Sequence, residues 1–271
     1  MNVNSFTSLI TYYLPEPQAS LLNGIVFGVP FRADYQFYQQ LKAVGIVHIV
    51  VLSGMNITML AAIIATLTRQ LGKKISVALT IATIVLFILF VGPQPPIIRA
   101  GFMGVLSLIG IIYGRKSIAL YSLALSAIFI AIFWPQWLAT ISFQLSYAAT
   151  LGLIIFGRKS VAIAADKNDK KPSGLIAYLK DELRTSLSAQ ALTVPLIFYY
   201  FRQISFISPV TNVLVAWLIA PLMILGLLTA ILGKIFWFMG VIPAYMSYIL
   251  LTWIVWVVKI FSALPFAYLK F

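Results

Sequence analysis

The residues of this chain that could do chemistry are few. Its single histidine, His48, opens the run His48-Ile-Val-Val-Leu-Ser53-Gly54-Met-Asn56. Arg99 follows Pro95-Pro96, and Gln144 and Ser146 lie in Ser142-Phe-Gln-Leu-Ser-Tyr147. Asn212 sits between Pro209 and Pro221. With no cysteine, one histidine and six acids, the chain lacks thiolate chemistry, Cys-based metal ligation and a histidine cluster. His48 has too few companions to hold a metal. Gln144 and Ser146 do not titrate in a useful range and cannot relay protons by themselves. These groups are suited to hydrogen bonding with a polar solute or a neighbouring helix. Arg99 adds five donors in a fork that matches phosphate or helix carbonyl ends. Neither a cofactor nor catalysis is expected.

The elements that must position these groups are membrane helices. Of the 271 residues, 62% are hydrophobic and 9% charged. Soluble domains carry roughly a quarter charged residues, so this composition cannot coat a globule. Apolar runs long enough to cross about 30 Å of hydrocarbon recur along the chain. The expected fold class is all-α, a polytopic transmembrane bundle of about eight spans with broken or re-entrant helices. The spans fall near 45–67, 75–91, 97–113, 118–134, 138–157, 186–201, 207–231 and 236–260. Residues 1–44 form an extracytoplasmic or interfacial segment, 45–260 the transmembrane domain and 261–271 a short tail. Within 1–44, Phe31, Tyr35 and Tyr38 have helical spacing, and 18–30 reads as a dipping element. Pro195, Pro209 and Pro221 sit in or beside apolar helices and can kink them.

Charge sets the orientation. Nineteen Lys and Arg against six acids give +13. Arg69, Lys73 and Lys74 follow the first span, Arg115 and Lys116 the third, and Arg158 and Lys159 the fifth. Successive clusters are two spans apart and share one side, which the positive-inside rule makes cytoplasmic. The polar loop 158–185 lies on that side, and the N-terminus on the other. The turns near Gly92–Pro96 and Trp134–Trp137 face outward, which leaves Arg99 at the outer end of its span against the charge bias. Inside the first span, helical geometry at 100° per residue sets Asn56 about 80° and Ser53 about 140° from His48, so they form no single stripe. Each should face protein or water, because an unpartnered polar side chain in hydrocarbon costs several kcal/mol at the upper end of transfer estimates. Interhelical packing and lining of a transport path both satisfy that requirement.

Taken in order, the motifs resemble the integral-membrane domain of the ComEC competence DNA-uptake family. The family pattern His-Leu-Leu-Ala-Ile-Ser-Gly-Leu-His is matched at His48, Ser53 and Gly54, with Asn56 in place of the second histidine. Ile98-Arg99-Ala100, Gly114-Arg115, Trp134-Pro135 and Phe143-Gln-Leu-Ser-Tyr147 continue the resemblance. Pro195, Tyr200-Phe201, Ser208, Asn212 and Pro221 extend it to about residue 230. Where many relatives carry an acid before the Phe-Gln-Leu-Ser motif, this chain has Ala139-Thr140. The oligonucleotide-binding and metallo-β-lactamase-like domains frequent in full-length relatives are not among these 271 residues, so nuclease chemistry is not expected of them.

The resemblance implies a channel in the bacterial cytoplasmic (inner) membrane that passes single-stranded DNA during natural transformation. His48, Ser53, Gly54, Asn56, Arg99, Gln144, Ser146 and Asn212 would line the path or pack its helices. The basic inner loops would receive phosphates on exit. Membrane lipids surround the bundle, while a separate DNA receptor, a nuclease and a cytoplasmic ATP-driven motor would act as partners. The alternatives are a transporter for another anionic solute and a non-conducting membrane assembly subunit.

Overall fold

A computed structural model describes residues 3–31, 34–50, 53–115, 118–157, 175–205, 207–264 and 268–270. Lys116, Arg158, Lys159 and the first part of the polar loop, through residue 174, lie outside the described residues. The protein is helical, with one two-stranded antiparallel ribbon, and its helices divide between two compact units, 1–56 with 203–271 and 57–202.

The first unit is built around a short central helix. α1 (Val3–Tyr13) leads into α2 (Gln18–Phe27), every residue of which is buried. α3 (Tyr35–Ala43) starts at Asp34, whose side chain accepts from Gln36 N at 3.1 Å, a usual capping role for aspartate. α4 (Val47–Val50) is a single turn, and α5 (Gly54–Leu67) begins at the end of this unit. After β1 (Gln203–Ser205), the long helices α11 (Ser208–Ile235) and α12 (Trp237–Ser262) form a hairpin, and β2 (Tyr268–Lys270) pairs antiparallel with β1. Glycine permits the close crossings. A Cβ on Gly226 would lie 2.5 Å from Val26 Cγ2 of α2, and one on Gly240 would lie 2.8 Å from the Cα of Gly233. Small residues let membrane helices approach to where dispersion acts.

In the second unit, most of α5 is followed by α6 (Lys73–Val91), α7 (Pro95–Ile112), α8 (Ala119–Phe133), α9 (Ile141–Phe156) and α10 (Leu175–Phe201). Short connections make α6 to α9 an up-and-down series. α9 and α10 pack backbone to backbone, because Gly152 faces the carbonyls of Ser188 and Ala189. Arg202, at φ 51°, ends the helical run before β1.

The expectation of about eight spans is corrected. Among the described residues, four helices, α6, α7, α11 and α12, are long and apolar enough to cross a membrane. At 1.5 Å per residue, α5, α8 and α9, with 14, 15 and 16 residues, reach only about 21–24 Å of the roughly 30 Å of hydrocarbon. The expected first span, 45–67, is divided between α4 and α5. The expected sixth, 186–201, is the second part of α10, whose first part carries Lys180, Asp181, Glu182 and Arg184. Proline breaks none of the long helices: Pro209 occupies the first turn of α11, and Pro195 and Pro221 lie within continuous helices. Asn212 and Trp217 therefore belong to an unbroken element. The expected dipping element at 18–30 is the buried α2, and Phe31 precedes α3 while stacking on Tyr38 at 6.1 Å. The chain is a multi-pass membrane protein.

Candidate functional site

The polar residues fall into two groups, one in each unit. In the first unit, Gly45 turns the chain at φ 75°, and its carbonyl accepts a hydrogen bond from Ser208 Oγ at 3.3 Å. The same carbonyl lies 3.0 Å from His48 Nδ1. A Cβ at Gly45 would collide with the Ser208 side chain at 2.6 Å, so both the positive φ and the contact call for glycine. One residue earlier, the Val44 carbonyl accepts from buried Thr211 Oγ1 at 2.9 Å. α11 thus clamps the entry to the His48 segment with two hydroxyls. His48 itself is exposed.

Asn56 is fully buried, and its Nδ2 donates to the carbonyl of Ile25 at 2.7 Å. Ile25 lies in the last turn of α2, where carbonyls run out of intrahelical donors. The αL residue Gly28 supplies the cap hydrogen bond to Gly24, and Asn56 supplies one to Ile25. Asn56 therefore acts as a C-cap delivered from α5. Ser53 Oγ adds a contact to Asn56 Oδ1 at 3.4 Å, and Gly54 is buried beside it. The run that reads as one polar segment separates in space: His48 faces outward, while Asn56 closes a helix end. Asn212 is buried one residue past the Thr211 clamp.

The second group gathers on α9. Thr140 caps this helix by accepting from Phe143 N at 3.3 Å. Ser146 and Thr150, one turn apart, turn toward α7, where Arg99 Nη1 donates to the Ser146 carbonyl and to Thr150 Oγ1. Thr150 Oγ1 also donates to the Ser146 carbonyl at 3.0 Å. The Nε of Arg99 and the Oγ of Ser146 are buried without a hydrogen-bond partner. Beside them, Tyr147 hydroxyl meets Ser126 Oγ of α8 at 2.8 Å, and its ring stacks on Phe143 at 4.2 Å. Gln144, about 200° around the helix from Ser146, faces α10 instead and accepts from Tyr200 hydroxyl at 2.6 Å. Among the described residues, no carboxylate pairs with Arg99, so this part-buried cation is held by a carbonyl and a hydroxyl.

The structure thus brings Arg99 to Ser146 and sets Gln144 on another face of the same helix. Sequence reasoning missed the Ser126–Tyr147 and Gln144–Tyr200 pairs as well as the Thr211 clamp. A legible sign was Ser122 and Ser126, two hydroxyls one helical turn apart in an otherwise apolar segment, both buried. Arg69, Lys73, Lys74 and Arg115 are exposed. Because α6 and α7 are antiparallel neighbours, these four cations share one end of the pair. Trp134 and Trp137, stacked at 4.8 Å in the connection between α8 and α9, mark the opposite end, with Arg99 one turn inside the start of α7. Trp is enriched at both membrane–water interfaces, whereas an excess of Lys and Arg gathers on one side. Among the described residues, no three His, Cys, Asp or Glu side chains are grouped to hold a metal ion.

A part-buried arginine held between α7 and α9, polar side chains on a short helix and exposed cations at one end of α6 and α7 accompany helices long and apolar enough to cross a membrane, which defines a multi-pass membrane protein. The family model described as competence protein matches residues 25–271, so the chain belongs to that family. It is also similar to the ComE operon protein 3 of Bacillus subtilis (strain 168), 26% identical over 220 residues, or 79% of this chain. The match spans about a quarter, 26%, of that relative's length. No solved structure matches the chain.

Proposed function

We propose that this chain forms part of the DNA-uptake apparatus of natural transformation, and that it provides a membrane path for single-stranded DNA. Family membership supports the general role. The observation that carries the finer reading is Arg99, held between α7 and α9 with, among the described residues, its Nε unpartnered and no carboxylate beside it. Holding a cation in that setting costs several kcal/mol unless an anion visits it. A phosphodiester strand supplies such an anion at each step, and sequence-independent passage needs no base-specific contact. Ser146, Thr150 and Tyr147 offer hydroxyls and an aromatic face on the same side.

In this proposal, the end bearing Arg69, Lys73, Lys74 and Arg115 is cytoplasmic, as are Lys116, Arg158, Lys159 and the rest of the segment 158–185. The N-terminus is extracytoplasmic. His48, Ser53, Gly54, Asn56 and Asn212 shape the first unit, with His48 as its exposed polar contact. A DNA receptor, a nuclease and an ATP-driven motor are supplied by other chains or domains. The test is entry of labelled single-stranded DNA into cells in which Arg99→Gln replaces the native residue. Uptake should fall while the amount of protein in the membrane stays constant. Normal uptake in cells lacking the whole chain would sink the proposal.

A further inference from the structure

A groove of about 410 Å³ runs between α9 and α10 in the second unit, away from Arg99. Phe156 walls it from α9, and Leu183, Leu187 and Ala191 from α10, with Lys180 and Arg184 at one end. Phe156 and Leu187 are each 50% exposed and Leu183 is 38% exposed, so the lining is available to an occupant.

The helical positions explain the layout. At 100° per residue, Lys180, Leu183, Arg184, Leu187 and Ala191 fall within roughly 100° of one another on α10. Lys180 and Arg184 flank Leu183 in the first turns of that stripe, and Leu187 and Ala191 follow. Asp181 and Glu182 lie about 100° and 200° around the helix from Lys180, so neither carboxylate is centred on the groove. Burial raises the Glu182 carboxyl above its ordinary range. Antiparallel packing of α9 against α10, fixed by Gly152 against the Ser188 carbonyl, puts Lys180 and Arg184 beside the last turn of α9.

We propose that this groove is a binding site for an anionic phospholipid, with its phosphate held by Lys180 and Arg184 and one acyl chain laid along Phe156, Leu183, Leu187 and Ala191. The charge complementarity selects the headgroup. Apart from the buried Ser188, the rest of the lining is apolar with Phe156 as its one aromatic ring, which favours a lipid over a nucleic-acid strand needing polar or stacking partners along its length. Basic side chains at a membrane surface attract anionic lipid by roughly fivefold each, hence about 25-fold for the pair. Seated between them, a bound lipid would tie α9 and α10 together.

The purified full chain in neutral detergent is titrated with phosphatidylglycerol or phosphatidylcholine of identical acyl chains, and bound lipid is counted by native mass spectrometry. Phosphatidylglycerol should be retained about 25-fold more tightly. Lys180→Gln with Arg184→Gln should reduce that preference to within about twofold, without changing thermal unfolding, because both side chains are exposed. Leu187→Trp, which fills the groove, should weaken both lipids. Lys73→Gln with Lys74→Gln, a basic pair outside the groove, should leave the preference intact. Equal retention of the two lipids by the native chain would overturn the proposal, as would a preference that survives the Lys180/Arg184 changes. Displacement of phosphatidylglycerol by a thymidine oligonucleotide, dependent on Lys180 and Arg184, would overturn it in favour of a nucleic-acid contact.

Discussion

Replacing Arg99 by Met separates a structural cation from one held for a passing anion. Arg99 Nη1 reaches two acceptors, the Ser146 carbonyl and Thr150 Oγ1. Those acceptors also bond each other, since Thr150 Oγ1 donates to the Ser146 carbonyl at 3.0 Å. Removing the guanidinium therefore orphans neither. Met preserves the length of the apolar stem, so the space between α7 and α9 stays filled. Lost charged hydrogen bonds are worth about 1.5–3 kcal/mol each. The relief of burying a cation with no carboxylate is several kcal/mol in the other direction. The two nearly cancel, and R99M should change stability by no more than about 2 kcal/mol. Breaking a true buried ion pair would instead cost about 3–5 kcal/mol. Uptake responds differently: one charge-assisted contact to a phosphate, lost at the path, is worth about tenfold to a hundredfold. Thermal unfolding of the purified chain in detergent is measured beside single-stranded DNA uptake in cells, with R99K as the charge-preserving companion. R99K should recover much of the uptake lost in R99M. A large fall in stability that accounts for the lost uptake, with R99K no better than R99M, would refute the reasoning and make Arg99 a packing residue.

Asn56 should behave in the opposite way. Asn56→Asp keeps the shape but removes the donor to the Ile25 carbonyl, and it should destabilise the first unit by about 1–3 kcal/mol in detergent unfolding; an unchanged midpoint would show that water or another donor takes over the cap. Gly152→Val places branched carbons against the Ser188 carbonyl, a backbone atom that cannot rotate away, and should cost about 1–3 kcal/mol or more while impairing assembly of α9 with α10. Protease resistance and unfolding of that variant check the effect. Tyr200→Phe removes one hydroxyl from Gln144 at an exposed site and should change stability by less than about 1.5 kcal/mol, read by the same melt.

Much was legible in the sequence. The 62% hydrophobic content and the scarcity of charge forced a helical membrane protein, and the ordered motifs from His48 to Pro221 carried the family. Arg99 stood out because it sits at the expected outer end of its span, against the charge bias of the other basic residues. The span count was not legible. Hydropathy marks apolar residues but does not say where hydrogen bonding stops, and α5, α8 and α9 stop too early to reach across the hydrocarbon. Nor did proline mark the breaks, since Pro195 and Pro221 lie in continuous helices.

The sequence by itself determined the solvent this protein lives in and the family to which it belongs. The tertiary structure alone decided which polar groups serve the fold. Asn56 follows His48 by eight residues, yet one caps the end of α2 and the other is exposed. Arg99 and Ser146 are 47 residues apart, yet one bonds the other's carbonyl. A carbonyl at the end of a buried helix must find a donor wherever packing brings one, and no local pattern in the chain records from which helix that donor will come.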